Sequence, residues 1–332
     1  MRGRRAAQMA TVGIGACGGI AASPWLTSAH GRLVTITRSM MPWAGLSAAP
    51  LAFVAAFTRR PRIATAGFLV SAASAAMCWP LVRRRALPVA RPPRLLSIVH
   101  VNLLSVNRHM AEAGEELAAL DADVVTFSEY TAHHATQLRT TALVTRYPHR
   151  IDLVAPASTG TGLWSRFPVT PRPTVHTTHH TVVADVDAPT GRIRVIVIHA
   201  QSPVAHHGDW LSDLDRLGGL RPAGPTIMTG DFNAGWWHPE FRQLLGSTWR
   251  DAHIARGKGL SCSWPTEKWH VLFRWHPPFI RLDHALVTSD LEVIDVVDLD
   301  VPGSDHLGLM ITVAPIKSVN PVNPVNSGDR VP

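Results

Sequence analysis

Ninety residues with eleven arginines and not one Asp or Glu open the chain. Three uncharged runs, 6–29, 39–58 and 63–82, lie between arginine clusters. Each has about the 20 residues a helix needs to cross a ~30 Å hydrocarbon core. They are rich in Ala, Gly and Ser, which suit close helix packing in a membrane. Buried helices of a soluble protein are the alternative, but such a core is seldom flanked by cations alone. Residues 1–86 are therefore expected to form a membrane anchor of three transmembrane helices.

The rest of the chain has a different balance. Residues 91–332 hold 21 Lys+Arg and all 24 acids, a net charge of −3, so the overall +8 belongs to the anchor. A basic channel for a polyanion is not what this composition suggests. With the N-terminus inside, Arg2, Arg4, Arg5, Arg59, Arg60 and Arg62 are cytoplasmic and the larger segment is outside, as the positive-inside rule prefers. Arg32, Arg38 and Arg83 to Arg85 then stand on the wrong side, which nearly balances the count. Neither a lipobox at Ile14 to Cys17 nor a twin-arginine signal at Arg4-Arg5 fits its pattern well. Cys17 and Cys78 read as membrane-helix residues, and Cys262 has no partner in the domain.

Three prolines between Leu87 and Arg94 mark a linker at 87–94, because proline lacks an N–H and favours extended chain. Val-Asn-Pro repeats mark a disordered tail at 315–332. Between them, 95–314 is long enough for one sizeable core. Leu95–Val101, Asp123–Phe127, Thr181–Val186, Ile193–His199, Thr226–Thr229, Ala285–Thr288 and Leu309–Val313 read as short strands. Helical spacing appears over His109–Leu120, with further helices at Asp209–Leu217 and His238–Leu245. Strands in runs with occasional helices indicate an α+β class rather than a regular βαβ wind.

Isolated polar residues fall at the ends of these strands. Asn102 ends the first, Glu129 follows the second, and His199 ends the fourth. Asp231 and Asn233 end the fifth, Asp283 and His284 begin the sixth, and Asp305 and His306 precede the last. Turn preference explains an Asp or Asn at any one of these places; a core histidine, a helix-start acid or an exposed strand residue explains others. Convergence at one sheet edge explains the set. Glu129, Asp305 and the amide oxygen of Asn102 are hard ligands suited to Mg²⁺ or Mn²⁺. Too few cysteines are present for a thiolate zinc site. A histidine beside an acid is oriented and favoured in its charged form. The combination fits metal-assisted attack of water on phosphorus. His133-His134, His176, His179, His180 and His206-His207 read as solvated positions, His284 as a bystander, and Trp236-Trp237 as residues of the site's rim.

In order, Gly230-Asp231-Phe232-Asn233-Ala234, Arg281-Leu282-Asp283-His284 and Ser304-Asp305-His306 resemble the endonuclease/exonuclease/phosphatase superfamily over about Leu95 to Ala314. The resemblance implies a four-layer α/β/β/α sandwich of the deoxyribonuclease I type. It implies Glu129 as the principal metal ligand, with Asn102 and Asp305 assisting. Asp231 then positions or deprotonates water, Asn233 holds phosphate, and His306, paired with Asp283, and His199 stabilise phosphoryl oxygens. Ser128, where the family commonly has Gln, and Ala200, where many relatives have Pro, depart from the pattern.

Three spans followed by such a domain also resemble the membrane-anchored VanJ-type teicoplanin-resistance proteins of actinobacteria. That implies a domain outside the cytoplasmic membrane and an undecaprenyl-type lipid phosphate or pyrophosphate as substrate. A tethered nuclease is the alternative enzyme, and a degenerate binding module is the non-enzymatic one. The complete polar set argues against the last.

Overall fold

Small residues and prolines set the course of the N-terminal helices α1 (Arg2–Ala22), α2 (Arg32–Ser39), α3 (Met41–Phe57) and α4 (Pro61–Val82). The structure, a computed structural model, describes residues 2–26, 31–84, 95–266 and 277–316. The linker expected at 87–94 and the Val-Asn-Pro repeats lie outside the described residues. α1, α3 and α4 pack closely: a Cβ on Gly67 would stand 2.8 Å from both the Ala52 Cβ and the Ile14 Cδ1. Large apolar side chains point away instead, with Met9, Val12, Phe53, Phe57, Leu69 and Trp79 exposed. This inside-out distribution suits a lipid surrounding better than water.

One expected span differs. Gly3–Trp25 and α4 are each long and apolar enough to cross a membrane, whereas α2 and α3 qualify only as a pair bent by 62°. The run expected at 39–58 is thus a 17-residue helix preceded by a separate one. Pro42, in the first turn of α3, has no N–H to continue the ladder from α2.

α2 turns onto the remainder of the chain and is fastened there. Arg38 is buried, with Nη1 3.2 Å from Glu240 Oε1, and donates to the carbonyls of Ser23 and Leu26. The Thr35 hydroxyl lies 3.0 Å from His207 Nε2, and that of Ser39 lies 3.1 Å from His238 Nε2. Arg32 donates to Ala205 O. Trp236 and Trp237, expected at the site's rim, pack with Met41 and Leu81 of α3 and α4 instead.

Twelve strands form two sheets among the described residues. The first runs β11 (Leu291–Leu299), β12 (Gly308–Pro315), β1 (Leu96–Asn102), β2 (Val124–Ser128), β4 (Thr161–Ser165), β3 (His149–Leu153). The second runs β5 (Val169–Pro171), β6 (Val182–Ala188), β7 (Gly191–His199), β8 (Thr226–Asp231), β10 (Asp283–Val287), β9 (Arg250–Asp251). Their inner faces share one core, in which Ile98, Val124 and Leu163 meet Val195, Val197, Ile227 and Ala285. Helices α5 (Met110–Ala119), α6 (Ala132–Leu138) and α7 (Leu143–Arg146) cover the first sheet. α8 (His207–Gly218) and α9 (Pro239–Leu245) cover the second, and α10 (Ala252–Ala255) follows β9. The result is a mixed α+β sandwich in which helices flank two face-to-face sheets.

All seven apolar runs form strands. β3, β4, β5, β9 and β11 were not anticipated: β3 is half-buried throughout, β5 and β9 are very short, and β11 carries a bulge near Asp295.

Candidate active site

Each sheet contains one parallel pair, β1–β2 and β7–β8, with α5 or α8 in the connection. Parallel strands end on the same edge, so Asn102, Glu129, His199 and Asp231 gather where these four strands finish. Antiparallel neighbours begin on that edge. Asp283 pairs in register with Asp231, which also faces His199 across the parallel ladder. Asp305 and His306 precede β12, which pairs with β1.

Two backbone turns aim the side chains inward. Glu129 and Asn233 have φ of 54° and 48°, the left-handed region that side-chain-bearing residues enter at a cost. Gly230 has φ of 156°, and a Cβ there would collide with the Ile198 carbonyl oxygen. Only glycine lets β8 lie this close to β7 just before Asp231.

The polar groups form one connected set. Asn102 Nδ2 donates to Glu129 Oε1 at 3.3 Å and to Asp231 Oδ2 at 3.1 Å. The other Glu129 oxygen accepts from the Ser105 N–H at 2.8 Å. Asp231 Oδ1 accepts from the Asn233 N–H at 2.8 Å. His306 Nδ1 donates to Asp283 Oδ2 at 2.8 Å, while its Nε2 lies 3.8 Å from Asp231 Oδ2. His199 Nδ1 donates to Ser158 O, and its Nε2 lies 3.6 Å from Asp231 Oδ2. Asn233 Nδ2 donates to Ala200 O.

Charge follows from this packing. Burial alone would lower the His306 pKa, but the Asp283 and Asp231 carboxylates outweigh it and raise it to about 10. Burial pushes Asp231 up to about 6, against the pull of His306. Glu129 is held low, because His199 and the Ser105 N–H outweigh its burial. Asp305 is raised by burial.

The donor set suits a hard divalent cation. Asp305 Oδ1 is buried with no hydrogen-bond partner among the described residues, although Trp264 Nε1 donates to Oδ2 at 3.2 Å. Such an orphaned oxygen is costly unless something satisfies it. Ligand atoms of Asp231, Asp283 and His306 also lie within 4.8 Å of one another. The His306–Asp283 hydrogen bond already occupies the imidazole Nδ1 there, and Asp283 Oδ1 is left without a hydrogen-bond partner among the described residues, as Asp305 Oδ1 is, so either this trio or the Glu129 and Asp305 carboxylates on the cavity wall could hold a cation. Asn102 lies among these groups. Its Oδ1 accepts from the Leu104 N–H at 3.0 Å, and its NH₂ faces the carboxylates.

One cavity-lining residue escaped the sequence, and other histidines are enclosed as well. His179, expected to be solvated, is buried with its ring 4.4 Å from that of His199. His134, also expected in solvent, is buried in the cap of α6. His100 is buried beneath the site with Nδ1 3.0 Å from Thr126 Oγ1. His284, expected as a bystander, is taken up by Asp251 and Ala234 O. Over the set lies a cavity of about 670 Å³ lined by Glu129, His179, His199, Asp231, Asn233, Asp305 and His306.

The model of the endonuclease/exonuclease/phosphatase family matches residues 99–306, more than half of the chain. The chain belongs to that family. Its members are phosphoric ester hydrolases, often dependent on a divalent metal. An endonuclease/exonuclease/phosphatase from Beutenbergia cavernae is similar at 18% identity and TM-score 0.50, over 67% of this chain and 72% of that one. D. rerio TDP2, solved with a single-strand DNA product, is similar at 17% identity and TM-score 0.53, over 66% and 98%. Truncated Caenorhabditis elegans TDP2 gives 14% identity and TM-score 0.53, over 66% and 98%. At these identities the likeness shows the fold. No curated protein matches the chain.

Proposed function

We propose that this chain is a membrane-anchored, metal-dependent phosphohydrolase whose catalytic domain faces outward and acts on a lipid-linked phosphate or pyrophosphate. The observation that carries the reading is the single cavity in which Glu129, His199, Asp231, Asp305 and His306 meet beside α2, at one end of the apolar helices.

Glu129 and Asp305 would hold Mg²⁺ or Mn²⁺, with Asn102 orienting Glu129. The cation supplies neutralisation of charge on the phosphate. Asp231 takes the proton of the attacking water, for which burial has raised its basicity. His306 is kept protonated by Asp283 and donates from Nε2 to a phosphoryl oxygen. His199 presents Nε2 on the other side of Asp231, and Asn233 contacts the phosphate. Fixed donors of this kind carry charge stabilisation without rearrangement during reaction.

Arginine placement supports the outward orientation. Ala10, Ala55 and Ala64 pack together, which puts the start of α1 and the start of α4 at one end of the bundle with two arginine triplets. The domain is fastened at the other end. Arg38, one of the arginines on the outer side, is paired with Glu240 and counts little as a free charge there. A role in teicoplanin resistance, which the VanJ-type architecture implies, belongs to this same proposal.

The nuclease reading draws on the DNA-bound D. rerio relative. Against it, the described residues lining the cavity include no Lys or Arg, whereas polyanion binding depends on such contacts. The test offers the purified full chain a prenyl pyrophosphate, an aryl phosphodiester and DNA in parallel, with Mg²⁺ and with chelator. Phosphate release from the lipid, abolished by chelation, is expected. Rapid DNA cutting without that release would replace this reading with the nuclease. A reporter fused after Val319 reads the topology, and activity on the cytoplasmic face would overturn the outward orientation.

A further inference from the structure

The cavity combines two chemistries. Its polar residues come from the sheet edge, but α2 and the segment before β10 supply apolar ones: Ile36, Met40, Phe279, Ile280 and Leu282, with Val204 beside them. Nothing in the hydrolysis of a small water-soluble phosphate calls for such a wall. α2 is held in place by Arg38–Glu240, Thr35–His207 and Ser39–His238, so the wall is a built feature of the domain. Opposite it, Trp43 of α3 donates to Phe279 O at 2.8 Å. Phe279 and Trp264 are in edge contact, and Trp264 donates to Asp305. An unbroken line of contacts thus joins the apolar bundle to the cation site.

We propose that α2 is a substrate-recognition element: the aliphatic chain of a lipid phosphate lies between Ile36 and Met40 on one side and Phe279, Ile280 and Leu282 on the other. This rests on the phosphohydrolase reading and adds the route by which the chain reaches it. α2 carries Leu33 and Ile36 exposed and is bent by 62° from α3, so with α3 set along a bilayer normal α2 leans toward the bilayer plane. The substrate enters sideways from the membrane surface, with its phosphate leading and its chain still partly in lipid. The wall's continuity with both the polar set and the apolar helices commits it to this occupant. A nucleobase stacked on Trp264 would leave Ile36 and Met40 unused.

The test needs no turnover. The full chain in lipid nanodiscs is titrated calorimetrically with monoalkyl phosphates of increasing chain length. With alkyl phosphates short enough to stay in water, each methylene that moves from water onto the wall is expected to tighten binding by about two- to fourfold. In Ile36→Asp, whose site is partly exposed and tolerant of change, that increment falls to less than half of its wild-type logarithm. Ile36→Leu restores it. Thr37→Asp, the same charge on the same helix outside the cavity lining, keeps the wild-type increment and controls for partition into the bilayer. An equal increment in wild type and Ile36→Asp, an equal loss in Thr37→Asp, or no dependence on chain length would overturn the proposal. Chain-length dependence without phosphate release from prenyl pyrophosphate would leave the wall standing and remove the lipid hydrolase reading alone.

Discussion

Asp283 touches no cavity space of its own, yet it decides the state of His306. Its Oδ2 accepts the Nδ1 proton at 2.8 Å, and the pair is buried. Asp283→Asn keeps an acceptor oxygen and removes the charge, so His306 loses its strongest reason to stay protonated. The turnover number is expected to fall by about 10²–10³, the range for loss of one preorganised electrostatic group, while the thermal midpoint measured alongside shows a folded protein. A loss below tenfold would deny the pair a part in the chemistry. Gly230 is the neighbouring case in backbone terms. Gly230→Ala drives a Cβ into the Ile198 carbonyl oxygen at a φ of 156°. It is expected to destabilise the domain by roughly 2 kcal/mol or more, read from chemical denaturation.

α2 is the element whose placement governs most. His238 explains how it is held and when it is released. Its Nδ1 accepts from the Gly235 N–H at 2.9 Å, so the neutral ring carries its proton on Nε2, which lies 3.1 Å from Thr35 O. Burial, outweighing Thr35 O and Glu240, lowers the His238 pKa from 6.5 to about 4. Between those values the unfolded chain binds a proton that the folded one refuses, so stability is complete above about 6.5 and is lost as pH falls toward 4. Burial acts in the same direction on His100, His179 and His253. The thermal midpoint is therefore expected to fall steadily from pH 7 to 4.5, with a shallower slope in His238→Gln. A slope unchanged by that substitution would show that α2 docking is not what acid disturbs.

At the scale of the molecule, one chain packs in two different ways. The domain buries its branched side chains between sheets, whereas the helix bundle buries alanines and glycines and turns its aromatics outward. A bilayer would impose no hydrophobic penalty on those outward groups, and close backbone approach would then be the main source of helix cohesion. Gly67→Val overfills the contact with Ala52 and Ile14. It is expected to cost about 1–3 kcal/mol and to lower the midpoint of the bundle in nanodiscs, leaving the spectroscopic signature of the sheets intact.

Period and composition are local properties, and what depends on them was legible from the chain alone. The acid-free N-terminal segment, the seven apolar strands, and the polar residues that end or precede them are all read without coordinates. Strands such as β3 and β5 were not: β3 offers only Ile151 and Leu153 to the core and β5 only Val169, too few apolar positions to show an alternation. His179 was hidden for a related reason: it sits in a loop, and only packing against His199 encloses it. Likewise Ile36 read as part of the connection between two spans and Met40 as the start of the second. A 62° bend at Met40–Pro42 and the hydrogen bonds of Arg38 and Ser39 laid that joint across the cavity. Sequence specified which groups the protein carries, since residue chemistry is written one position at a time. Their arrangement around one cavity is long-range geometry, and only the packed chain decides it.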